Sequence, residues 1–511
     1  MSIANSKNPP KSLPQITNEE IYQAWINVIE NRSILVRLFW ILVSIITVTG
    51  IITSRTTNLE DITLFAGLVG IALTSLYLWC KGKVYGLPIV PIFTLSYVWT
   101  YIMPIIANQE ILDTYTAPER IFAGLTIGGF LAIMTGTWYG IVKTSRKLNK
   151  PNTLFALDSN KADKLFLGIL VVAVIFSMSV IGGWAGITTT PVFSLMRGAI
   201  LGLTNIAGFV LGFRHGQHSL SVNRSNFFRF LVLLYCITNA ASLLLVGSIT
   251  FLIITGIGFT MGRKKIPLTT TVLTILIIIP LHYGKGEMRQ QAIGKELSIQ
   301  PWEYPAYYAE WVGKNFENKS FTYSNKREDE FSDLVGVYGV EAPDNKQKIS
   351  DRASLLQQLL LTQVRSPDIQ PFLEGVTYQW IPQLLIPRLF LDSKISAHYA
   401  TSILNIYYGK QRLQDTFSTT IGWGLLSEAY ANFGLVGCAV LAIILGYVFG
   451  NVSAWSHYAP LLSARYLTSV LLMVYAFNDS VASVFISSLF QSLVSLVAVN
   501  FLVMEKREIS Q

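Results

Sequence analysis

The chain has 511 residues, of which 51% are hydrophobic and only 14% are charged. Soluble proteins carry about 25% charged residues, so this composition excludes a soluble multidomain enzyme and predicts an integral membrane protein. The formal net charge of +9 would suit a nucleic-acid-binding protein. Lysine and arginine concentrated in cytoplasmic loops give the same total, and we therefore expect no nucleic-acid partner.

Apolar runs along the chain are long enough to cross the roughly 30 Å hydrocarbon core of a bilayer, which requires about 20 residues each. A polar leader, residues 1–33, precedes the first run. An uncharged stretch between Arg229 and Arg263 is too long for one helix, and we divide it near Gly247–Ser248. Twelve transmembrane helices result, near 34–53, 62–80, 88–107, 120–142, 164–182, 192–213, 229–246, 249–262, 266–283, 425–450, 464–480 and 483–503.

The basic residues orient these helices. If the N-terminus is cytoplasmic, the inner loops are rich in lysine and arginine, whereas the short outer loops are poor in both and the loop 107–119 contains neither. The positive-inside rule then predicts an all-α polytopic membrane protein with both termini in the cytoplasm. Helices 1–9 occupy 34–283, a large extracytoplasmic loop occupies 284–420, and helices 10–12 with a short tail occupy 421–511.

The large loop contains two segments with structural signals. Ser350–Asp351 would cap a helix with a leucine face through Leu355–Leu360 that ends before Pro367, and this face would lie in the membrane surface or pack on the loop itself. The segment PWEYPAYYAEW (301–311) is rich in tyrosine and tryptophan, which is typical of an interfacial aromatic belt or of a surface on which sugar rings stack.

Motifs of many soluble enzymes are absent from the sequence. It contains no phosphate-binding P-loop, no Cys-x-x-Cys, no His-Glu-x-x-His and no Gly-x-Ser-x-Gly. The five histidines are scattered, so we predict no metal site and no cofactor. His398 in the large loop is a candidate general base, although an isolated loop histidine is more often simply solvated.

Arginines cluster instead at the predicted outer membrane boundary. Arg197 is unusual because it lies inside an apolar run, where a charge is costly unless it is paired or faces a polar cavity. A guanidinium group donates two parallel hydrogen bonds to phosphate, so several arginines would bind a lipid pyrophosphate and stabilise it as a leaving group without a metal. Ordinary anchoring to phospholipid headgroups is the alternative. The arginines are Arg120, Arg197, Arg289, Arg365, Arg388 and Arg412.

Glu428 lies in the first turn of the predicted helix that begins near Gly424. Gly424, Glu428 and Asn432 are spaced four residues apart and share one helical face. Glu428 would accept a proton from a sugar hydroxyl or hold an arginine in place, or it would only stabilise the helix N-terminus. Asp479, between the last two helices, competes for both roles.

The segments LEGVTY (373–378), IPRLFLDSK (386–394) and GLLSEAYANFGLVG (424–437) follow one another in this part of the chain. Together they resemble motifs of the oligosaccharide repeat-unit polymerases, the O-antigen polymerase (Wzy-like) family of bacterial envelope proteins. GKGEMRQ (284–290) is similar to the arginine-bearing entry to the large periplasmic loop of that family. GSIT (247–250) stands where many relatives have Gly-Ser-Arg, so this chain has one fewer candidate phosphate contact.

The resemblance implies a glycosyltransferase in the bacterial cytoplasmic (inner) membrane. A growing glycan would move from polyprenyl pyrophosphate to an incoming lipid-linked repeat unit on the outer leaflet, without nucleotide sugar, metal or cofactor. The implied macromolecular partners are a chain-length regulator and a flippase. Glu428, Arg289 and Arg388 are the predicted catalytic residues. Residues predicted to bind substrate are Arg365, Arg197, Tyr378, Lys394, Tyr430, Asn432 and Asp479.

Two other functions fit the sequence. A glycan ligase of related architecture would use the same lipid pyrophosphate donor with a different acceptor. A polysaccharide transporter or an envelope-assembly scaffold would need no catalytic residues. Against transport, the sequence has no internal repeat, which many transporters possess.

Overall fold

The computed structural model describes most of the helical part of the chain and selected loop segments. The described residues are 15–23, 25–54, 58–107, 112, 114–145, 151, 153–184, 190–243, 245–263, 276–278, 280–282, 288, 298–313, 354–386, 391, 394–417 and 420–509. Arg289 and Arg388, two of the three predicted catalytic residues, lie outside this set.

Within the described residues the secondary structure is almost entirely helical. The helices are α1 (Asn18–Gln23), α2 (Ile26–Glu30), α3 (Arg32–Thr53), α4 (Leu59–Cys80), α5 (Ile89–Tyr97), α6 (Met103–Ile106), α7 (Ala117–Thr144), α8 (Ser159–Ile181), α9 (Thr190–Gly216), α10 (Val222–Ala240), α11 (Leu245–Gly262), α12 (Tyr304–Gly313), α13 (Leu356–Arg365), α14 (Ile381–Leu385), α15 (Tyr399–Tyr407), α16 (Leu425–His457), α17 (Ala464–Phe477) and α18 (Ala482–Val503). A π-helical turn, Val98–Ile102, joins α5 to α6, and short 3-10 turns occupy Pro301–Glu303 and Asp415–Phe417. The strands are β1 (Gln15–Ile16), β2 (Thr153–Ala156) and β3 (Glu505–Ile509).

Nine of the described helices are long and apolar enough to cross a membrane. Their outward side chains are apolar, for example Ile52 at 77% and Leu502 at 83% exposed, as expected where lipid replaces water. The chain is therefore an all-α polytopic membrane protein, as the composition predicts. The helix predicted at 266–283 is largely outside the described residues, although 276–278 and 280–282 are helical.

The predicted division at Gly247–Ser248 is displaced by a few residues. α10 ends at Ala240 and α11 begins at Leu245, and Leu243 between them has a positive φ of 60°. Gly247 lies inside α11, where an added β-carbon would be 2.6 Å from the Asn239 amide nitrogen. This glycine therefore permits a close approach between the two helices and does not mark their boundary.

A small sheet that the sequence analysis did not predict joins three distant segments. β1 pairs in parallel with β3, and β2 pairs antiparallel with β3, so the strand order is β1–β3–β2. The sheet thus connects the N-terminal leader, the segment between α7 and α8, and the C-terminal segment. We call this end of the helix bundle the sheet face.

Other loops reach the same face. Asn27 in α2 donates its amide to the carbonyls of Met261 and Gly262 at the end of α11, at 3.0 and 2.9 Å. Asp163, just after β2, forms ion pairs with Arg214 and Arg224, at the facing ends of α9 and α10. Both ion pairs involve a carboxylate whose side chain is only 2% exposed, which fixes these helix ends firmly.

α16 is not the single straight span predicted at 425–450. Non-helical backbone at Phe433 and Gly434 breaks it, and Gly434 has φ 60° and ψ −146°, a conformation open essentially to glycine alone. The Cys438 sulfur lies 3.8 Å from the Leu426 carbonyl oxygen, although twelve residues of straight helix would separate them by about 18 Å. The short limb (425–432) therefore folds back along the long limb (435–457), and Glu428 lies in the short limb, ahead of the membrane-crossing part.

The second half of the large loop packs into the helix bundle. Leu359 and Leu360 of α13 are completely buried, because α13 packs against α7 and α16. Gln363 donates to the Thr126 hydroxyl of α7 at 2.8 Å, and the Leu355 N–H donates to the Thr100 carbonyl at 2.8 Å. The leucine face therefore covers transmembrane helices instead of lying in the membrane surface. The predicted cap at Ser350–Asp351 lies outside the described residues.

The aromatic segment 301–311 packs on the end of α10. The hydroxyls of Tyr307 and Tyr308 donate to the carbonyls of Ala241 and Ile237, at 3.2 and 2.6 Å. Trp311 is fully buried, whereas Trp302 is 73% exposed. Most of these rings therefore hold the loop onto the bundle, and Trp302 alone among the five presents a largely exposed ring.

Candidate functional site

The break in α16 is the point at which two of the sequence motifs meet. A broken helix leaves the carbonyls before the break without their usual partners. The N–H groups of Leu373 and Glu374 donate to the carbonyls of Ala431 and Asn432, at 3.0 and 3.1 Å. The LEGVTY segment (373–378) therefore docks on the SEAYANFG segment (427–434) through its backbone.

The Asn432 side chain adds two hydrogen bonds between the same two segments. Its Oδ1 accepts from the Gly375 N–H at 3.0 Å, and its Nδ2 donates to the Thr377 hydroxyl at 2.8 Å. Both Asn432 and Thr377 are completely buried. Asn432, predicted to line the substrate site, therefore joins the two motifs.

Glu428 and Asp479 each bind the N-terminus of a helix other than their own. Glu428 Oε2 accepts from the Ala482 N–H at the start of α18, at 2.6 Å. Asp479 Oδ1 accepts from the Leu425 N–H at the start of α16, at 3.0 Å. A carboxylate at a helix N-terminus is favoured by the helix dipole. The two acidic residues thus lock the short limb and α18 together reciprocally.

Each of these carboxyl groups also has a second, buried oxygen. Within the described part of the chain, Glu428 Oε1 and Asp479 Oδ2 accept no hydrogen bond of normal geometry. Burial raises the pKa of Asp479 to about 6, while the Leu425 N–H and the hydroxyls of Tyr101 and Tyr97 oppose the rise. Asp479 is therefore placed to change its protonation near neutral pH.

Two tyrosines of the third predicted span form one wall of this polar interior. Tyr97 and Tyr101 are completely buried and stack at 4.7 Å between ring centroids. The Tyr101 hydroxyl lies 3.4 Å from the Ser427 hydroxyl. A β-carbon added at Gly424 would overlap the Tyr101 hydroxyl and lie 2.6 Å from Asp479 Oδ2. Glycine is therefore required where the short limb begins.

These tyrosines lie in an ordinary apolar run, so no sequence pattern distinguished them. Tyr101 belongs to the π-helical turn Val98–Ile102, and Tyr97 directly precedes it. Only the structure reveals this turn, and such turns are frequent at functional sites.

Two basic side chains, Arg365 and Lys410, lie along α13. Arg365 donates to the Tyr408 carbonyl, and Lys410 donates to the Gln357 side-chain oxygen, both at 2.8 Å. Burial, with a smaller contribution from the Arg365 charge, lowers the pKa of Lys410 to about 8. No carboxylate of the described residues lies within ion-pair distance of Lys410. Lys410 was not among the predicted residues.

Arg120 extends this group of cations. It forms an ion pair with Asp61 at 3.2 Å and donates to the Tyr115 carbonyl at 2.6 Å. Arg365 also acts on Tyr115, where its charge opposes the rise of the Tyr115 pKa that burial causes. We call Arg120, Arg365 and Lys410 the basic cluster.

Tyr378 and Tyr430, both predicted to bind substrate, lie beside the docked motifs. Tyr378 stacks on Phe433 at 6.2 Å, and its pKa is raised by burial and secondarily by the Glu428 charge. Tyr430 packs edge-on against Phe372 at 6.1 Å. These two tyrosines therefore do surround the docked motifs.

Arg197, His398 and Lys394 lie elsewhere in the same region. Arg197 is exposed. The partial burial of His398, together with the positive charge of Arg197, lowers the pKa of His398. Lys394 donates to the carbonyls of Leu384 and Ile386, at 2.6 and 2.5 Å, so in this structure it holds the chain after α14. None of the described residues forms a group of three or more side chains suited to a metal ion.

No protein-family model matches the chain, and neither the curated proteins nor the solved structures contain a match.

Proposed function

We propose that the chain is a membrane glycosyltransferase that polymerises polyprenyl-pyrophosphate-linked oligosaccharide repeat units on the outer face of the bacterial cytoplasmic membrane. In this proposal twelve helices cross the membrane, the sheet face is cytoplasmic, and the large loop is extracytoplasmic. The resemblance to the O-antigen polymerase family in the three motif segments is the starting point.

The arrangement of loops supports the proposed orientation. The leader, the segment before α8, the junction of α9 with α10 and the C-terminal strand all reach the sheet face. These are the segments in which the positive-inside rule predicts cytoplasmic lysine and arginine. An even number of helices follows if both termini share that face.

The observation that carries the proposal is the docking of LEGVTY onto the break in α16. The two motifs are separated by about fifty residues in the chain, yet backbone groups of Leu373, Glu374 and Gly375 bind Ala431 and Asn432 directly. Two of the three motif segments that carry the resemblance therefore form one contiguous unit, and most of the third, 386–394, lies outside the described residues. It lies beside two buried carboxyl groups, and α13 connects it to the basic cluster.

In the proposed reaction the bond between the donor's anomeric carbon and a pyrophosphate oxygen breaks. A new bond forms between that carbon and a hydroxyl oxygen of the acceptor sugar, and the hydroxyl proton passes to Glu428. Arginine and lysine side chains stabilise the charge that develops on the leaving pyrophosphate. Because Glu428 is completely buried, the acceptor reaches it only if the docked segment 373–378 lifts from the break.

The test is expression in a strain that lacks its own repeat-unit polymerase, with surface glycan resolved by length. We expect a ladder with the intact chain and single-repeat product with Glu428→Gln or Arg289→Ala. Glu310→Gln, a carboxylate change on the exposed face of α12, is the matched control and should keep the ladder. Membrane insertion of each variant is checked by its amount in purified membranes.

Unchanged ladders from both inserted site variants would refute the site assignment. A chain that makes no ladder with any matched repeat unit would refute the function. Transfer of a single finished glycan to another acceptor would instead identify a ligase.

A second function, transport, is favoured by one observation. The substrate sites of ion-coupled transporters are typically formed by discontinuous helices, and α16 is discontinuous at Phe433 and Gly434. Ion-dependent movement of a lipid-linked or free glycan across vesicles containing the purified chain, together with the absence of a ladder, would establish transport in place of polymerisation.

A further inference from the structure

A long groove separates α3 from α4 on the outside of the bundle. Its volume is about 830 Å³, and its lining is almost wholly apolar. At the end nearer the sheet face its lining includes a ring cluster, in which Phe39 packs against Trp40 and Tyr77 at 5.3 Å each. At the other end it reaches Ser54 and Ile62. The groove therefore runs along most of the length of α3.

The length of the groove distinguishes between possible occupants. From Phe39 to Ser54 the helix rises by about 22 Å at 1.5 Å per residue. Half of a hydrocarbon core of about 30 Å is about 15 Å, so the acyl chain of a phospholipid in one leaflet would fill only part of the groove. Its length suits one hydrocarbon chain that extends beyond the middle of the bilayer.

The end of the groove at Ser54 and Ile62 is linked to Arg120 of the basic cluster. Ile62 lines the groove, and the adjacent Asp61 forms the ion pair with Arg120. Arg120 also donates to the Tyr115 carbonyl. This end of the apolar groove therefore lies near a guanidinium group, the side chain best suited to phosphate.

The groove is also close to the docked motifs. Ile106 of α6 lines the groove, and Tyr101, five residues earlier in the adjoining π-helical turn, contacts Ser427 of the short limb. A lipid in the groove would therefore present its headgroup beside both the basic cluster and the short limb.

We propose that the α3–α4 groove binds the hydrocarbon chain of a long polyprenyl phosphate lipid, whose phosphate lies at the basic cluster. This inference rests on the proposed function, because it assigns the chain of the lipid-linked substrate to a place in the fold. It adds Lys410 to the residues that bind the phosphate, and it makes α3 and α4 part of the substrate site.

Two glycines of α4 provide a matched pair of variants. Gly70 lines the groove, whereas Gly67 does not. A β-carbon added at either position meets no atom within 4 Å, so both positions admit a larger side chain. Gly70→Phe fills the groove, and Gly67→Phe places the same ring on lipid-facing surface of the same helix. Thr74→Phe is a second filling variant, because Thr74 also lines the groove.

The experiment measures displacement of a labelled long-chain polyprenyl phosphate from the purified full chain in lipid nanodiscs. We expect Gly70→Phe and Thr74→Phe to weaken its binding at least about fivefold, or about 1 kcal/mol, and Gly67→Phe to leave it unchanged. Unlabelled farnesyl phosphate, whose chain is short, should compete poorly. Lys410→Gln should weaken binding of the long-chain phosphate and not of the corresponding uncharged polyprenol.

Equal binding by the Gly70 and Gly67 variants, with both folded, would overturn the groove assignment. Phosphatidylglycerol that competes as well as the polyprenyl phosphate would show an ordinary phospholipid site and would also overturn it. A ladder that is unaffected by Gly70→Phe would argue against the groove while leaving the polymerase proposal intact. If the protein binds polyprenyl phosphates according to the length of their hydrocarbon chain but makes no ladder, the groove assignment is supported and polymerisation is rejected.

Discussion

Gly434→Ala tests whether α16 really doubles back at its glycine. The native conformation at Gly434, φ 60° and ψ −146°, is one that alanine adopts only with strain of about 1–3 kcal/mol. In addition, the new methyl group would lie 2.9 Å from the Phe372 ring, so the docked segment must shift, which raises the cost to about 2–4 kcal/mol. We expect a lower free energy of unfolding and loss of the contact between the two limbs.

The sign of the effect makes this prediction decisive. If α16 were continuous, alanine would be the better helix former and would stabilise the chain by up to about 1 kcal/mol. The assay is unfolding of the purified full chain in mixed micelles with increasing denaturing detergent. Gly129→Ala in α7 is the matched control, because an added β-carbon there meets no atom within 4 Å, and it should be neutral or slightly stabilising. A stabilised Gly434→Ala variant would refute the folded-back limb.

Three further predictions concern buried charges. Arg120→Met removes the ion-pair partner Arg120 from the buried Asp61 carboxylate and should lower the free energy of unfolding by about 3–5 kcal/mol. Adding Asp61→Leu should restore most of this loss in the same unfolding assay. Additive losses in the double variant would contradict the pairing. The pKa of Asp479 in the folded chain, about 6, exceeds the ordinary value of 3.8, so protonation of Asp479 favours the folded state. The free energy of unfolding should therefore fall by about 2–3 kcal/mol as pH rises from 4 to 6. Asp479→Asn should abolish this pH dependence. The pKa of Lys410 is lower in the folded chain than its ordinary value, so the charged form of Lys410 destabilises the fold at pH 7, and stability should recover as pH rises above 8. Lys410→Gln should raise the melting temperature at pH 7. A lower melting temperature would show that the hydrogen bond from Lys410 to Gln357 dominates.

The membrane-crossing part of the fold was accessible from sequence because lipid imposes simple requirements. A span needs length and apolar side chains, and lysine and arginine mark one side. These requirements act on each segment separately, so spans such as α4 and α18 lie close to their predicted bounds. Lys410 was missed for a related reason, since no local pattern shows that a loop lysine will be buried beside an arginine.

The break in α16 depends on contacts that no single segment reveals. The run from Leu425 to Gly450 reads as one continuous apolar helix, and an isolated glycine within it is usually tolerated. The break is stable because Leu373 and Glu374, far away in the chain, supply donors for the freed carbonyls. The same holds for the leucine face of α13, whose partner could have been lipid, loop or helix on pattern alone.

The spacing of residues in the sequence indicated where some side chains of the candidate site lie relative to one another, but not which groups they contact. Glu428 and Asn432 do share a face of the short limb, and Asp479 does lie beside Glu428's helix. The pattern did not show that Glu428 binds the N-terminus of α18 and that Asp479 binds the N-terminus of α16. Such reciprocal contacts arise from the tertiary arrangement of α16, α17 and α18.

The sheet has a consequence for biosynthesis. Its central strand, β3, is made after its two partners, β1 and β2. Both outer strands must therefore wait with unpaired backbone groups until the helices that precede β3 have been made. Closure of the sheet is in this sense a late step that joins distant segments, and a truncated product lacking β3 would keep exposed strand edges that quality-control proteases can recognise.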